Sequence, residues 1–144
     1  MGRVSGDMRI ALASENITAY LRKKGYADHV VRGGLASLVH RWELVAEGLA
    51  RSDPAYIMYE EFLNDLDGRR ILRECIERLA PSDLAEISAR VAEADRVFSE
   101  NTVAISRCVW GDATADEYGY EPIEDWYYYR RPRASDDGWP KEFL

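Results

Sequence analysis

Cysteine, histidine and the glycine loops that bind phosphate are scarce or absent in this sequence. Cys75 and Cys108 are its two cysteines among 144 residues, too few for a disulfide framework. Cys75 lies on an apolar helical stripe, where a buried and reduced thiol is expected. No glycine-flanked serine elbow and no phosphate-binding glycine loop is present. Nucleophilic catalysis therefore has no support in the sequence.

Long apolar runs and an excess of positive charge are also lacking. No stretch approaches the roughly 18 apolar residues of a membrane span, and the run from Ile10 to Ala13 is too short for a secretory signal. We therefore expect a cytoplasmic, reducing location. The net charge of −7 disfavours a nucleic-acid backbone or an anionic membrane as partner. Three interpretations remain: a basic protein partner, a DNA-mimicking role, or an acidic surface that only keeps a small protein in solution.

Residues 55–79 are the stretch around which we expect the fold to be organised. Apolar residues recur in it at three- and four-residue spacing, which is typical of half-buried helices. Ser52 or Asp53 can cap the first of these helices, and Pro54 suits its first position. Because a glycine costs about 1 kcal/mol inside a helix, we expect two helices that meet at Asp67 and Gly68.

Two further helices are predicted before this stretch. The first carries an apolar stripe, and the cations before Gly25 mark its end. Gly33 and Gly34 then break the chain before a second stripe that covers about 120° of a helical wheel. Trp42 lies in the middle of this stripe, where we expect a core anchor, with ligand stacking as the alternative. The first stripe consists of Ile10, Ala13, Ile17, Tyr20 and Leu21; the second consists of Leu35, Leu38, Val39, Trp42, Val45, Ala46 and Leu49.

A last long helix is predicted to begin at residues 81–83. Its 3-4 apolar pattern suits an antiparallel bundle within one chain, or a short coiled-coil seam between two subunits. Asn101 interrupts the seam and either sets its register or marks the point at which packing ends. The seam consists of Leu84, Ile87, Val91, Ala94, Phe98 and Ile105.

The composition changes at residue 109. Nine of the sixteen aromatic residues and three of the five prolines lie in the last 36 positions. No helical period fits this part, so we expect an irregular arm of extended segments and turns, with residues 126–131 as the most strand-like piece. The predicted fold is all-α: a single domain, 1–144, with about five helices in a core of residues 8–108 and the aromatic arm of residues 109–144 packed on it.

Candidate metal sites in the sequence are weak. Residues 63–74 contain a glycine and a final glutamate at the spacing of a calcium-binding EF-hand loop, but Leu63 stands at its first ligand position. His40, Glu43 and Glu47 share one helical face, which lies opposite the Trp42 stripe and should be solvated. We therefore expect neither a metal nor a cofactor.

The leading functional hypothesis is a non-catalytic, acidic protein-binding module, of the kind represented by a bacterial immunity protein or antitoxin-like inhibitor of a basic partner. Aromatic residues are favoured at interface hot spots, and acidic groups complement a basic surface. The predicted partner-binding residues are Tyr118, Tyr120, Glu121, Glu124, Asp125, Trp126 and Tyr128, with Glu117 beside them.

Two alternatives stay open at this point. One is a small helical enzyme or ligand-binding protein with its pocket between the helices and the arm, for which the candidate groups are His40, Tyr59, Glu60 and Glu61. The other is a homodimer built on the seam of the last long helix. The absence of recognisable catalytic machinery favours the binding module over the enzyme.

Overall fold

The computed structural model describes residues 17–135 and 137–144, and it is mostly helical. This confirms the predicted all-α fold with an irregular C-terminal arm. The chain is helical at residues 17–24. The remaining elements are α1 (Asp28–Ala50), α2 (Pro54–Ile57), α3 (Tyr59–Ile76), α4 (Pro81–Glu100), β1 (Thr102–Ala104), α5 (Asp112–Tyr118) and β2 (Arg130–Pro132), with 3-10 turns at Trp126–Tyr129 and Lys141–Phe143.

Glycine ends the first helix and bends the second. Gly25 has a left-handed φ of 81°, and its N–H donates to the carbonyl oxygen of Arg22, as the preceding cations predicted. In α1, Gly34 has a φ of 61° and a ψ of −161°, so the helix is kinked there. The predicted break at Gly33 and Gly34 is therefore confirmed, because the backbone leaves helical geometry at Gly34. Ile10 and Ala13, which begin the predicted first stripe, lie outside the described residues.

Residues 55–79 form two helices, but these helices meet at a different position from the predicted one. Asp53 accepts a hydrogen bond from the N–H of Ala55 and Pro54 opens α2, as predicted. The chain then breaks at Met58, which is extended. The predicted break at Asp67 and Gly68 is wrong, because α3 runs unbroken to Ile76. Burial of the apolar stripe of α3 outweighs the cost of about 1 kcal/mol that Gly68 imposes on the helix.

The end of α4 corrects a second prediction. The helix stops at Glu100, whereas the predicted seam continued to Ile105. Thr102–Ala104 instead forms a two-stranded antiparallel sheet with Arg130–Pro132, in a register that pairs Val103 with Arg131. Asn101 lies at the helix end, where its side-chain amide donates to the carbonyl oxygen of Val97. Of the predicted strand at 126–131, only the last two residues are extended, because 126–129 form a 3-10 turn.

The described residues divide into two compact units. The first contains residues 17–43 and Gly68–Ala94, and the second contains Leu44–Asp67 and Asp95–Leu144 apart from residue 136. Helices α1, α3 and α4 contribute residues to both. The buried side chains of the first unit include Leu21, Leu35, Val39, Trp42, Leu72, Cys75, Ile87 and Val91; those of the second include Val45, Leu49, Phe62, Leu66, Phe98, Val109, Tyr127, Tyr128, Trp139 and Phe143.

Trp42 and the α4 seam are part of these cores. Trp42 is 2% exposed, which confirms it as a core anchor, and the guanidinium carbon of Arg69 lies 5.7 Å from the centre of its ring. The seam residues Ile87, Val91 and Phe98 are buried within the single chain. Leu84, at the start of the seam, is exposed. In the part of the chain that the structure describes, no helix combines the length and the apolar character that crossing a membrane requires.

Candidate functional site

The predicted partner-binding residues all lie in the second unit, on α5 and the segment that follows it. Gly119 ends α5 with a left-handed φ of 69°, and its N–H donates to the carbonyl oxygen of Ala115. This reversal places Tyr120 beside Tyr118, with ring centres 5.9 Å apart and planes at 21°. Glycine adopts this left-handed conformation without strain. The turn at Gly119 therefore stacks the two tyrosines that flank it in the sequence.

Three tyrosines form a stacked column that runs from the core to the surface. The rings of Tyr120 and Tyr128 stack at 4.4 Å, and the rings of Tyr120 and Tyr118 stack in turn. Tyr128 is fully buried at one end, whereas Tyr118 is 58% exposed at the other. We call Tyr118, Tyr120 and Tyr128 the tyrosine column. The column therefore holds the exposed Tyr118 on Tyr120, which in turn packs on the buried ring of Tyr128.

The buried end of the tyrosine column is fixed by a carboxylate. The hydroxyl of Tyr128 donates to Oδ1 of Asp67 at 2.7 Å, and Nε1 of Trp110 donates to the same oxygen at 3.1 Å. Burial raises the pKa of the Tyr128 phenol, and the negative charge of Asp67 raises this pKa further. Tyr128 therefore remains a protonated donor throughout the neutral range.

Asp125 closes a turn inside the fold. It is 4% exposed, and its Oδ2 accepts a hydrogen bond from the backbone N–H of Glu121. Its own carbonyl oxygen accepts from the N–H of Tyr128. Trp126 is half-buried and packs edge-on against Phe98 at 5.7 Å. Among the predicted partner-binding residues, Asp125, Trp126 and Tyr128 thus serve packing, with Asp125 and Tyr128 buried.

The exposed members of the predicted set lie close to Tyr118 in the sequence. Residues 111–125 contain six carboxylates and no lysine, arginine or histidine. Ile123, which the sequence pattern did not single out, is 87% exposed near the end of this segment. An isolated apolar residue between Pro122 and Glu124, without helical partners, was the signal for it. We call the following exposed or half-buried residues the acidic aromatic surface: Glu117, Tyr118, Tyr120, Glu121, Ile123 and Glu124.

Arg107, which precedes this segment in the sequence, already forms ion pairs with two carboxylates. Arg107 donates to Asp112 at 2.8 Å and to Glu142 at 2.9 Å. The hydrogen bond to Asp112 raises the pKa of this guanidinium, and the charges of both acids add to the effect. Asp112 is therefore already paired with a cation, and it is not counted in the acidic aromatic surface.

The groups named for the alternative enzyme occupy ordinary structural positions. The hydroxyl of Tyr59 donates to the carbonyl oxygen of Val109 at 2.6 Å, and its ring packs against Trp139 at 4.9 Å. Glu60 and Glu61 are exposed on the first turn of α3. His40 is exposed on α1 in the first unit.

The structure adds no support for the two candidate metal sites found in the sequence. Glu43 is paired with Arg90, and Glu47 lies 3.8 Å from Arg51. The EF-hand-like residues lie within the unbroken helix α3, so they form no loop. Within residues 17–135 and 137–144, no group of three or more histidine, cysteine or acidic side chains is placed to hold a metal ion.

Comparison of the chain with models of known protein families, with curated proteins and with solved structures finds no match in any of the three.

Proposed function

We propose that this chain is a non-catalytic binding protein that covers a basic protein partner with its acidic aromatic surface. The proposed type is a bacterial immunity protein or antitoxin-like inhibitor. The observation that carries the proposal is the exposed ring of Tyr118, stacked on a column fixed in the core, in a segment that carries the exposed carboxylates of Glu117, Glu121 and Glu124 and no basic side chain.

The tyrosine column gives Tyr118 the properties of an interface anchor. Tyrosine supplies a large, partly apolar contact area with few rotatable bonds, and a ring held in place before binding loses little entropy on association. Tyr120 holds the ring of Tyr118 on one side, while 58% of the residue stays accessible. Residues of this kind dominate the energy of many interfaces.

The charge of the surrounding segment selects a basic occupant. Glu117, Glu121 and Glu124 are exposed and lie close to Tyr118 in the sequence. A lysine or arginine of the partner can pair with these carboxylates and can also lie over the tyrosine ring. The same field repels the phosphates of nucleic acids and the headgroups of anionic membranes. A protein with a basic surface is therefore the partner that fits.

A cytoplasmic location is part of the proposal. Cys75 and Cys108 are both free and buried. Burial raises the pKa of the Cys75 thiol to about 12, and it raises the pKa of Cys108 as well. Unpaired thiols of this kind are common in proteins of reducing compartments.

Capture from the native lysate tests the charge requirement. The wild-type chain and a Glu117→Lys/Glu121→Lys variant are immobilised, and retained proteins are quantified by mass spectrometry at low and high salt. We expect a basic protein that the wild type retains at low salt, releases at high salt, and loses in the charge-reversed variant.

Glu47→Lys provides the matched control, because Glu47 is an exposed helical acid in a different segment. This variant should retain the same basic protein as the wild type. If every retained protein binds the charge-reversed variant as well as it binds the wild type, the proposal is wrong.

A further inference from the structure

The described residues of the first unit line an open polar cleft of about 220 Å³. The helical residues 17–24 line one side of it, and the C-terminal half of α3 with the turn after it lines the other. Along α3 the lining side chains follow a helical spacing of three and four, so they share one face. The lining residues are Tyr20, Lys24, Arg70, Arg73, Glu74, Glu77 and Arg78.

The charge of this cleft is opposite to that of the chain. Four cationic and two carboxylate side chains line the cleft, which leaves two positive charges in a protein of net charge −7. Both carboxylates already accept from donors. The hydroxyl of Tyr26 donates to Oε2 of Glu74 at 2.5 Å, and Nε of Arg73 donates to Oε1 of Glu77 at 3.3 Å.

Arg78 is held in a fixed orientation at the cleft. Its guanidinium carbon lies 3.9 Å from the centre of the Tyr20 ring. Its Nη1 donates to the backbone carbonyl of Glu74 at 2.8 Å. Stacking on the ring and this hydrogen bond orient the guanidinium, whose Nη1 also lies 4.0 Å from Oε2 of Glu77. An oriented guanidinium suits donation to a planar or tetrahedral oxyanion.

We propose that this cleft binds a small anion that carries a phosphate group, either inorganic phosphate or a small phosphate monoester. Two net positive charges match the charge of about −2 that a phosphate monoester carries near neutral pH. The volume is below the range of about 300–1,000 Å³ that drug-sized ligands occupy. Its charged lining offers no apolar wall for a large ligand body.

Titration calorimetry with sodium phosphate at low ionic strength tests this site, with sodium acetate as the monoanion control. We expect wild-type binding with a Kd of about 0.1–1 mM for phosphate. Arg78→Gln and Lys24→Gln should each weaken it by at least about tenfold. Lys141→Gln, which removes an exposed cation in the second unit, should leave phosphate binding unchanged.

Lys24→Gln separates a loss of binding from a loss of folding, since Lys24 is an exposed residue whose replacement should leave the fold intact. Thermal unfolding of each variant without phosphate reports whether it is folded. Wild-type protein that shows no heat with about 10 mM phosphate overturns the inference, because the Kd then exceeds the proposed range. Equal binding of phosphate and acetate, or unchanged binding by both variants, overturns it too. Such a failure leaves the acidic aromatic surface untouched, because that surface lies in the other unit.

Discussion

The hydroxyl of Tyr128 donates a hydrogen bond of 2.7 Å to Oδ1 of Asp67, which lies 61 residues earlier in the chain. The indole of Trp110 donates to the same oxygen. One carboxylate on α3 therefore holds two aromatic residues of the C-terminal arm. Because Tyr128 supports Tyr120 and Tyr120 supports Tyr118, this contact fixes the exposed ring that we propose as the partner anchor.

Tyr128→Phe should lower the free energy of unfolding by about 1–3 kcal/mol, because it removes a hydrogen bond to a charged acceptor. The measurement is urea unfolding followed by circular dichroism. Tyr118→Phe is the matched control: its hydroxyl lies on an exposed side chain, so we expect a change within about 0.5 kcal/mol. Equal stability of Tyr128→Phe and the wild type would show that the bond contributes nothing.

Alkaline pH should destabilise the wild type more steeply than Tyr128→Phe. The pKa of Tyr128 in the folded protein is raised above the value of about 10 expected in the unfolded chain. The unfolded chain therefore loses this proton first, so the contribution is complete below pH 10 and falls as the pH rises above it. We expect the slopes of unfolding free energy against pH to differ by about 1.4 kcal/mol per unit above pH 10. Parallel slopes would contradict the assigned environment.

Two glycines inside helices, Gly48 in α1 and Gly68 in α3, should respond oppositely to alanine. A Cβ on Gly68 would meet only side-chain atoms of Arg41, at 3.6 Å or more, so Gly68→Ala should stabilise the fold by about 0.5–1 kcal/mol. A Cβ on Gly48 would lie 2.1 Å from Cδ2 of Tyr56, so Gly48→Ala should destabilise it by about 1–3 kcal/mol. Thermal unfolding measures both. A destabilised Gly68→Ala variant would argue that α3 is broken at this position.

Trp139→Phe should weaken the packing of the chain's last residues within the second unit. Nε1 of Trp139 donates to the carbonyl oxygen of Ile57 at 2.6 Å, and its ring packs edge-on against Tyr59 and Phe62. Phenylalanine keeps a ring but leaves this carbonyl without its donor, which costs about 1–3 kcal/mol. Urea unfolding should report this loss. An unchanged midpoint and slope would mean that the indole hydrogen bond is dispensable.

Local chemistry made most of the helical fold predictable. Asp53 with Pro54 begins a helix, Gly25 ends one, and the Trp42 stripe is buried, all as the residue types indicated. Each of these features depends on neighbours within one or two helical turns. The periodicity and the capping residues are therefore enough to locate them.

The errors arose where distant residues decide the local structure. Residues 102–104 form a strand because they pair with Arg130–Pro132. The sequence around residues 102–104 does not indicate a pairing partner about 30 residues away. Burial of the α3 stripe overrides the glycine at position 68. Asp125 and Tyr128 are buried, which acidic and tyrosine side chains do not indicate locally, and their part in partner binding stays a prediction. The expectation of a single domain over residues 1–144 stays a prediction.

The most direct test of the proposed surface is the affinity of Tyr118→Ala for the basic partner. The protein retained by the wild type is purified, and titration calorimetry gives its Kd for the wild type and for the variant. We predict that Tyr118→Ala binds about thirtyfold more weakly, equivalent to about 2 kcal/mol, while its unfolding free energy changes little. An unchanged Kd in a fully folded variant would contradict the assignment of Tyr118 as the anchor of this surface.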